Sequence, residues 1–198
     1  MHALILLMNG FEDMEAVAPM DILRRAGWTV TGASVDGSSP LTASNGLRII
    51  PDAALADARE ADLLIVPGGG AGVKALRASA DALECVRRFD RAAKPIAAIC
   101  AGPAVLLDAG ILGGRTVTSH PAVAHEIQAA GVRWVDQPVR VDGRLITAQG
   151  AGIAVDFALE IIRRLDRPDA AEGIAAALCL PRARGDQPAA GQSQDISR

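Results

Sequence analysis

Short apolar runs alternate along the chain with stretches in which apolar residues recur at helical spacing. A short apolar run that ends in turn-forming residues is typical of a strand buried on both faces of a sheet. Apolar residues spaced about three to four positions apart instead predict a helix with one apolar face. The pattern predicts strands at residues 3–8, 28–35, 62–66, 96–99, 115–118, 132–135 and 139–148, and helices at 15–26, 53–59, 81–91, 104–107, 122–130, from 152 to about 165, and 169–180.

This alternation predicts an α/β domain with a mostly parallel sheet. Turn-forming Asn45-Gly46 and Asp142-Gly143 predict antiparallel hairpins within residues 41–50 and 139–148. At 198 residues the chain is long enough for one domain with a substantial core. We expect that domain to span residues 1–181. Residues 182–198 show no apolar periodicity, which predicts a disordered tail.

A cysteine lies at one of the predicted strand-to-helix turns. Ala98 and Gly102 flank Cys100 at the spacing of a nucleophile elbow, where small neighbours are needed because the turn is tight. The unpaired amides and positive dipole end of a helix N-terminus favour a thiolate at such a position. The alternative is a buried structural cysteine, since a free cysteine also behaves as a small hydrophobic residue.

Other polar or glycine-rich segments also follow predicted strands. Ligands bind beyond the carboxyl ends of parallel strands, so residues 12–15, 68–70 and His120 are expected to converge near Cys100. The glycine run is either a flexible turn or a segment whose amide stabilises a charge that forms beside the sulfur, as in an oxyanion hole. His120 is either a satisfied core histidine or a base or orienting group for the thiol.

Three carboxylates follow the first predicted strand, and their positions indicate different roles. Glu12 and Asp13 are typical of solvated charges at the start of a helix, where the dipole favours them. Glu15 lies where the apolar helical face begins. Burial there would hold its carboxyl neutral and let it donate a hydrogen bond to a neighbouring thiolate.

Composition and charge argue against several classes of partner. Half of the residues are hydrophobic but only 3% are aromatic, so small aliphatic side chains must build the core. The net charge is −3 with no basic block, which argues against nucleic acid or an anionic membrane as partner. The longest apolar run, residues 96–107, is too short to span a bilayer.

Location and cofactors follow from weaker signals. The N-terminus lacks the basic region and cleavage site of a signal peptide, so we expect a cytoplasmic protein. The glycine run matches no nucleotide-binding motif. The three cysteines are Cys85, Cys100 and Cys179. They are too few and too scattered for a disulfide framework or a zinc site, so no cofactor or metal is expected.

Taken together, these segments resemble the ThiJ/PfpI superfamily, and within it the branch of the human Parkinsonism-associated deglycase and its bacterial relatives. The resemblance extends from Ala3 to about Pro181. It implies a flavodoxin-like three-layer sandwich and a homodimer. The motifs that carry it are Ala97-Ala98-Ile99-Cys100-Ala101-Gly102-Pro103, Pro67-Gly68-Gly69, Thr118-Ser119-His120-Pro121 and Glu12-Asp13-Met14-Glu15.

The resemblance also implies roles for site residues. Cys100 would be the nucleophile and a readily oxidised thiol, and Glu15 the acid hydrogen-bonded to it. Gln149 stands where the human relative has an arginine near the pocket. The contacts of that arginine with the oxidised cysteine are therefore not expected in the same form here. Ala43 and Ile50 replace cysteines of that relative, so a redox response should rest on Cys100. The expected oxyanion and substrate-binding residues are Gly68, Gly69 and Ala101, with His120 as the nearby histidine.

The expected function is cofactor-independent chemistry on small reactive aldehydes. Cys100 would add to methylglyoxal, Glu15 and His120 would move protons between its carbons, and hydrolysis would release lactate. Deglycation of early glyoxal adducts is a related activity implied by the resemblance. One alternative is a redox-responsive stress sensor or chaperone that uses oxidation of Cys100. An intracellular cysteine peptidase is a weaker alternative, because no acid is placed to orient His120.

Overall fold

Seven strands make up the central sheet of the computed structural model, which describes residues 1–181. The strands of the chain are β1 (His2–Leu7), β2 (Thr29–Ser34), β3 (Leu41–Thr42), β4 (Arg48–Ile49), β5 (Ala53–Ala54), β6 (Leu63–Val66), β7 (Ile96–Ile99), β8 (Thr116–Val117), β9 (Arg133–Trp134), β10 (Val139–Asp142) and β11 (Leu145–Ala148). The order across the sheet is β10-β11-β7-β6-β1-β2-β5. All neighbours are parallel except β10 and β11, which confirms the predicted mostly parallel sheet.

Helices cover both faces of this sheet, giving the predicted three-layer, flavodoxin-like sandwich. They are α1 (Asp13–Arg25), α2 (Gly70–Ala78), α3 (Ala80–Arg91), α4 (Pro103–Asp108), α5 (Pro121–Ala129), α6 (Ala154–Leu165) and α7 (Pro168–Ala177). Helices α1, α6 and α7 share one core cluster, and α2 to α5 share the other. Side chains alternate across a strand, so Ile5 of β1 joins the first cluster while Leu4 and Leu6 join the second.

The apolar runs of the central strands are buried as the sequence predicted. Every residue of β6 and of β7 is buried, because helices pack on both faces of these strands. Both predicted hairpins also form: β3 pairs antiparallel with β4, and β10 with β11. None of the helices in residues 1–181 has the length and apolar character needed to cross a membrane. The predicted tail, residues 182–198, lies outside the described residues.

One predicted element near the edge of the fold is wrong, and one predicted strand forms but lies outside the main sheet. Residues 53–59 form no α-helix: Ala53 and Ala54 pair with β2 as β5, and a single 3₁₀ turn, Leu55–Asp57, follows. A segment this short is a poor helix nucleus, whereas the free edge of β2 offers it hydrogen bonds. Strand β8 pairs with β9 in a separate two-stranded sheet. It does not join the main sheet, because β10 already pairs with the outer edge of β11.

Helix α2 was not predicted, because its first residues belong to the glycine run. The two glycines of its first turn, Gly70 and Gly72, disfavour a helix by about 1 kcal/mol each relative to alanine. Tertiary packing overrides that preference, since Val73 and Leu76 are buried in the core beneath the helix. The glycine run therefore ends β6 and also begins α2.

Candidate active site

Cys100 lies at the carboxyl end of β7, between β6 and β11, where the chain turns sharply into α4. Its φ is 62°, a left-handed value that residues other than glycine rarely adopt. Hydrogen bonds hold the turn: the Cys100 amide donates to Ala148 O at 2.9 Å, and the His120 amide donates to Cys100 O at 2.8 Å. The chain thus has the geometry of a nucleophile elbow at Cys100.

Glu15, in the first turn of α1, is fully buried beside this elbow. Its Oε2 accepts a hydrogen bond from the Gly68 amide at 2.7 Å. Its Oε1 is buried and has no hydrogen-bond partner within residues 1–181. The Cys100 thiol lies near the carboxyl. Burial raises the pKa of Glu15 to about 7, although hydrogen bonds from Cys100 and Gly68 oppose the shift. Glu15 is therefore poised to take or release a proton near neutral pH.

Gly68 is the contact point between Glu15 and Cys100. A Cβ atom at residue 68 would lie 2.5 Å from Glu15 Oε2 and 2.9 Å from Cys100 Sγ. Both distances are far below van der Waals contact, so a glycine is required for the carboxyl and the sulfur to approach each other. The Gly68 amide is already bound to Glu15, so it does not join the amides that face the sulfur.

Burial dominates the electrostatics of the thiol. It raises the pKa of Cys100 to about 12, and the negative charge of ionised Glu15 adds to the increase. Because Cys100 precedes a predicted helix N-terminus, the sequence had predicted a lowered pKa for its thiol. Helix α4, however, has only six residues and begins beyond Cys100, so its effect is small compared with desolvation. The increase that comes from the Glu15 charge vanishes when Glu15 is protonated. The pKa of the Cys100 thiol is therefore lower when the carboxyl is neutral than when it is ionised.

Two backbone amides act against this desolvation. The amides of Gly69 and Ala101 lie near the sulfur, and they lower the pKa of Cys100. Gly69 has φ 97°, and a Cβ there would lie 2.3 Å from Gly10 O, so only glycine fits. The structure thus brings together five of the six predicted site residues, namely Cys100, Glu15, Gly68, Gly69 and Ala101.

His120 is close to Cys100 through its backbone, but its ring is bound elsewhere. The side chain is exposed and caps α5, where Nδ1 accepts from the Ala122 amide at 3.2 Å. Since Nδ1 accepts, the hydrogen-bond pattern assigns the proton of a neutral ring to Nε2. No hydrogen bond joins the imidazole to the thiol within the described chain. The segment is anchored by Thr118, whose amide donates to Thr147 Oγ1 at 3.0 Å.

The remaining polar residues near the site have structural partners. Glu12 caps α1 by accepting from the Glu15 amide at 2.8 Å. Asp13 accepts from the Asn45 amide at 2.9 Å and so ties α1 to the β3–β4 hairpin. Gln149 donates to Asp136 Oδ1 at 2.6 Å. Within residues 1–181, no group of three or more His, Cys, Asp or Glu side chains is arranged to hold a metal ion.

Sequence reasoning missed a groove of about 500 Å³ that begins at the elbow and runs between α2 and α5. It was missed because α2 was not predicted, although the spacing of Val73, Leu76 and Arg77 is a weak helical signal. The lining residues are Gly70, Val73, Lys74, Arg77, Ala78, Ala101, Ala122 and Val123. Because Ala101 lines the groove and follows Cys100 directly, one end of the groove lies beside the elbow.

Comparison with known proteins is consistent with this geometry. The sequence model of the DJ-1/PfpI family matches residues 1–164. The Parkinson disease protein 7 homolog of Danio rerio is 38% identical over 183 residues, which cover 90% of this chain and 97% of that protein. The glutathione-independent glyoxalase DJR-1.2 of Caenorhabditis elegans is 36% identical over 181 residues, with coverage of 90% and 96%. The solved structure of oxidized DJ-1 from Toxoplasma gondii has a TM-score of 0.86 at 32% identity, covering 91% of this chain and 99% of that chain.

Proposed function

We propose that this chain, which belongs to the DJ-1/PfpI family, is a cofactor-independent enzyme that converts small α-oxoaldehydes such as methylglyoxal to hydroxy acids. One observation carries the proposal: a buried carboxyl with a pKa of about 7 lies against a cysteine that faces two backbone amides. This arrangement supplies a nucleophile, a proton carrier and an oxyanion hole without a metal. The glyoxalase named among its relatives supports the same chemistry. Early glyoxal adducts present the same oxidation level and are a related substrate class.

In the proposed first step, the Cys100 thiol gives its proton to ionised Glu15. The sulfur then attacks the aldehyde carbon, a C–S bond forms, and the carbonyl electron pair moves to oxygen. The Gly69 and Ala101 amides stabilise this alkoxide, as they oppose the desolvation of the sulfur in the free protein. Glu15 returns its proton to the alkoxide, which gives a neutral hemithioacetal and a carboxylate again.

The second step transfers hydrogen between the two carbonyl carbons. Glu15 removes the proton from the former aldehyde carbon, and the electron pair forms an enediol while the ketone oxygen takes a proton. His120 is the proposed donor to that oxygen, since Nε2 carries the proton of its ring. Glu15 then returns its proton to the second carbon, while the hydroxyl on the first carbon gives its proton to His120 and becomes the carbonyl of a thioester. Water hydrolyses the thioester to lactate and free Cys100. The first carbon is oxidised and the second is reduced, so no external oxidant is needed.

The experiment is turnover of methylglyoxal by the purified protein in D₂O, followed by NMR. We expect lactate as the product, and Cys100→Ala should reduce the rate to background. Cys85→Ala is the matched control, because Cys85 is buried on α3, away from the elbow. Failure of the wild-type protein to form lactate, or full activity of Cys100→Ala, would contradict the proposal.

A redox role for the same cysteine is a second candidate, favoured by one specific feature. Cys100 is partly exposed, while the groups around it are hydrogen-bond donors: two amides and, when protonated, Glu15. The same donors suit a sulfinate as well as an alkoxide. The related DJ-1 of Toxoplasma gondii has been solved in an oxidized form. Peroxide treatment followed by a stability measurement tests this role: oxidation confined to Cys100 that changes neither stability nor association would count against a sensor.

A further inference from the structure

The groove beside the elbow is longer than methylglyoxal requires. Its near end is formed by Gly70, Ala101 and Ala122, next to the sulfur, and its far end by Arg77 and Ala78. Since an α-helix rises about 1.5 Å per residue, the stretch of α2 from Gly70 to Arg77 spans about 10 Å. A three-carbon aldehyde bound at Cys100 would leave most of this groove empty.

The charges that line the groove are both positive. Lys74 and Arg77 are its only charged lining residues in the described part of the chain, and the other walls are apolar or glycine. Arg77 is already engaged: its Nε donates to Asp108 Oδ2 at 2.7 Å, and its Nη1 donates to Glu126 Oε2 at 3.1 Å. Two carboxylates thus offset the Arg77 charge.

Lys74 lies one helical turn nearer to the elbow than Arg77. It is exposed, and within residues 1–181 it has no ion-pair partner. One turn of helix separates it from Gly70, which is about 6 Å along the axis. A carboxylate about 6 Å along the groove from its near end would meet Lys74, whereas Asp108 and Glu126 are paired with Arg77 and do not line the groove.

We propose that the groove is a substrate subsite for α-oxoaldehydes that carry an apolar spacer and one carboxylate, and that Lys74 determines this preference. The inference rests on the proposed function, because it places the aldehyde at Cys100. The apolar walls accommodate the spacer, and the ammonium group of Lys74 pairs with the carboxylate. Lys74 is a specificity-determining residue in this arrangement and takes no part in the chemistry.

The test compares kcat/KM for phenylglyoxal and 4-carboxyphenylglyoxal, which differ by one carboxylate. An ion pair in a water-filled groove is worth about a fivefold preference, and we expect wild-type protein to favour the carboxylated aldehyde by that factor. Lys74→Ala should abolish the preference and Lys74→Glu should reverse it. The preference should also shrink as salt is raised.

Arg59→Glu is the matched control for the charge change. Arg59 is exposed and precedes β6, so it lies toward the amino ends of the strands, opposite the edge that carries Cys100. It should leave the preference intact. Equal use of both aldehydes by wild-type protein, or an equal effect of Arg59→Glu and Lys74→Glu, would overturn the proposal.

Labelling separates failure of the subsite from failure of the proposed function. If no α-oxoaldehyde is turned over, the reaction of Cys100 with a carboxyl-bearing maleimide can be compared with that of its neutral methyl ester, in a Cys179→Ser background. Cys179 is exposed and would otherwise react as well. Faster labelling by the carboxylate that is lost in Lys74→Glu would support the subsite. Equal labelling rates would overturn it.

Discussion

Replacing Glu15 by glutamine tests the proposed proton carrier directly. The amide keeps the shape of the side chain, and its oxygen can still accept from the Gly68 amide as Oε2 does at 2.7 Å. What is lost is the ability to take a proton from the thiol and from the substrate carbon. General acid–base groups contribute about a hundred- to ten-thousand-fold, so methylglyoxal turnover should fall by at least a hundredfold.

The same substitution should make the protein more stable at alkaline pH. Burial raises the pKa of Glu15 from 4.5 to about 7, so the folded state binds this proton more tightly than the unfolded state does. Stability from Glu15 is therefore fully present below pH 4.5 and is lost as the pH rises to about 7. The shift corresponds to about 3 kcal/mol. Glutamine does not titrate, so its contribution does not depend on pH. The difference in the free energy of unfolding between Glu15→Gln and wild type should therefore shift in favour of the variant by up to about 3 kcal/mol from pH 4 to pH 8.

Three measurements check this reasoning together. Urea unfolding at pH 4 and pH 8 gives the difference in the free energy of unfolding. The pH profile of wild-type kcat/KM should rise through about 7, because Glu15 must be ionised to accept the thiol proton. Alkylation of Cys100 at pH 8 should be faster in Glu15→Gln, because an ionised Glu15 raises the pKa of the thiol.

Glu12→Gln is the matched control, since Glu12 lies on the same loop and only caps α1. It should lose little activity and should leave the pH dependence of stability unchanged. Normal turnover by Glu15→Gln would show that Glu15 is not the proton carrier. A greater loss in Glu12→Gln would show that the wrong carboxylate has been assigned.

Two further predictions concern oxidation and assembly. Mild peroxide should take Cys100 selectively to the sulfinic level, because amides and Glu15 donate to its oxygens; peptide mapping that found Cys85 or Cys179 oxidised to the same extent would contradict a special site. The protein should be a homodimer that uses the outer face of α1, where Met14 and Val17 are 53% and 40% exposed. Met14→Glu should therefore raise the dissociation constant at least tenfold by light scattering or ultracentrifugation, and a wild-type monomer at micromolar concentration would refute the dimer.

The features that the sequence predicted well are those set by local pattern. The strands β6 and β7 are continuous apolar runs, and small residues around Cys100 permit the tight turn, so both could be identified without tertiary information. The features it missed depend on contacts between distant segments. Helix α2 forms from a glycine-rich segment because Val73 and Leu76 pack on the sheet, and β8 lies outside the sheet because the β10–β11 hairpin occupies the edge.

The pKa of the Cys100 thiol shows the same contrast between local pattern and contacts of distant segments. A helix start after Cys100 is visible in the sequence, and it predicts a lower pKa. The burial that raises the pKa instead comes from segments far apart in the chain, including Gly68 and the first turn of α1. No local pattern reports how much water reaches the sulfur. Gly68 likewise reads as a turn residue, although its main role is to leave room for Glu15 beside Cys100.

The most unfavourable features of the fold coincide with its proposed chemistry. The left-handed backbone of Cys100 costs about 1–3 kcal/mol, and ionised Glu15 costs about 3 kcal/mol above its pKa. Both costs arise within a few ångströms of Gly68. Ala93 and Cys179 have left-handed backbone as well. What distinguishes Cys100 is that its strained backbone lies beside the buried carboxyl of Glu15. A substitution that relieves either cost should therefore stabilise the fold and also reduce turnover, because the proposed reaction uses the two residues that carry these costs, Cys100 and Glu15.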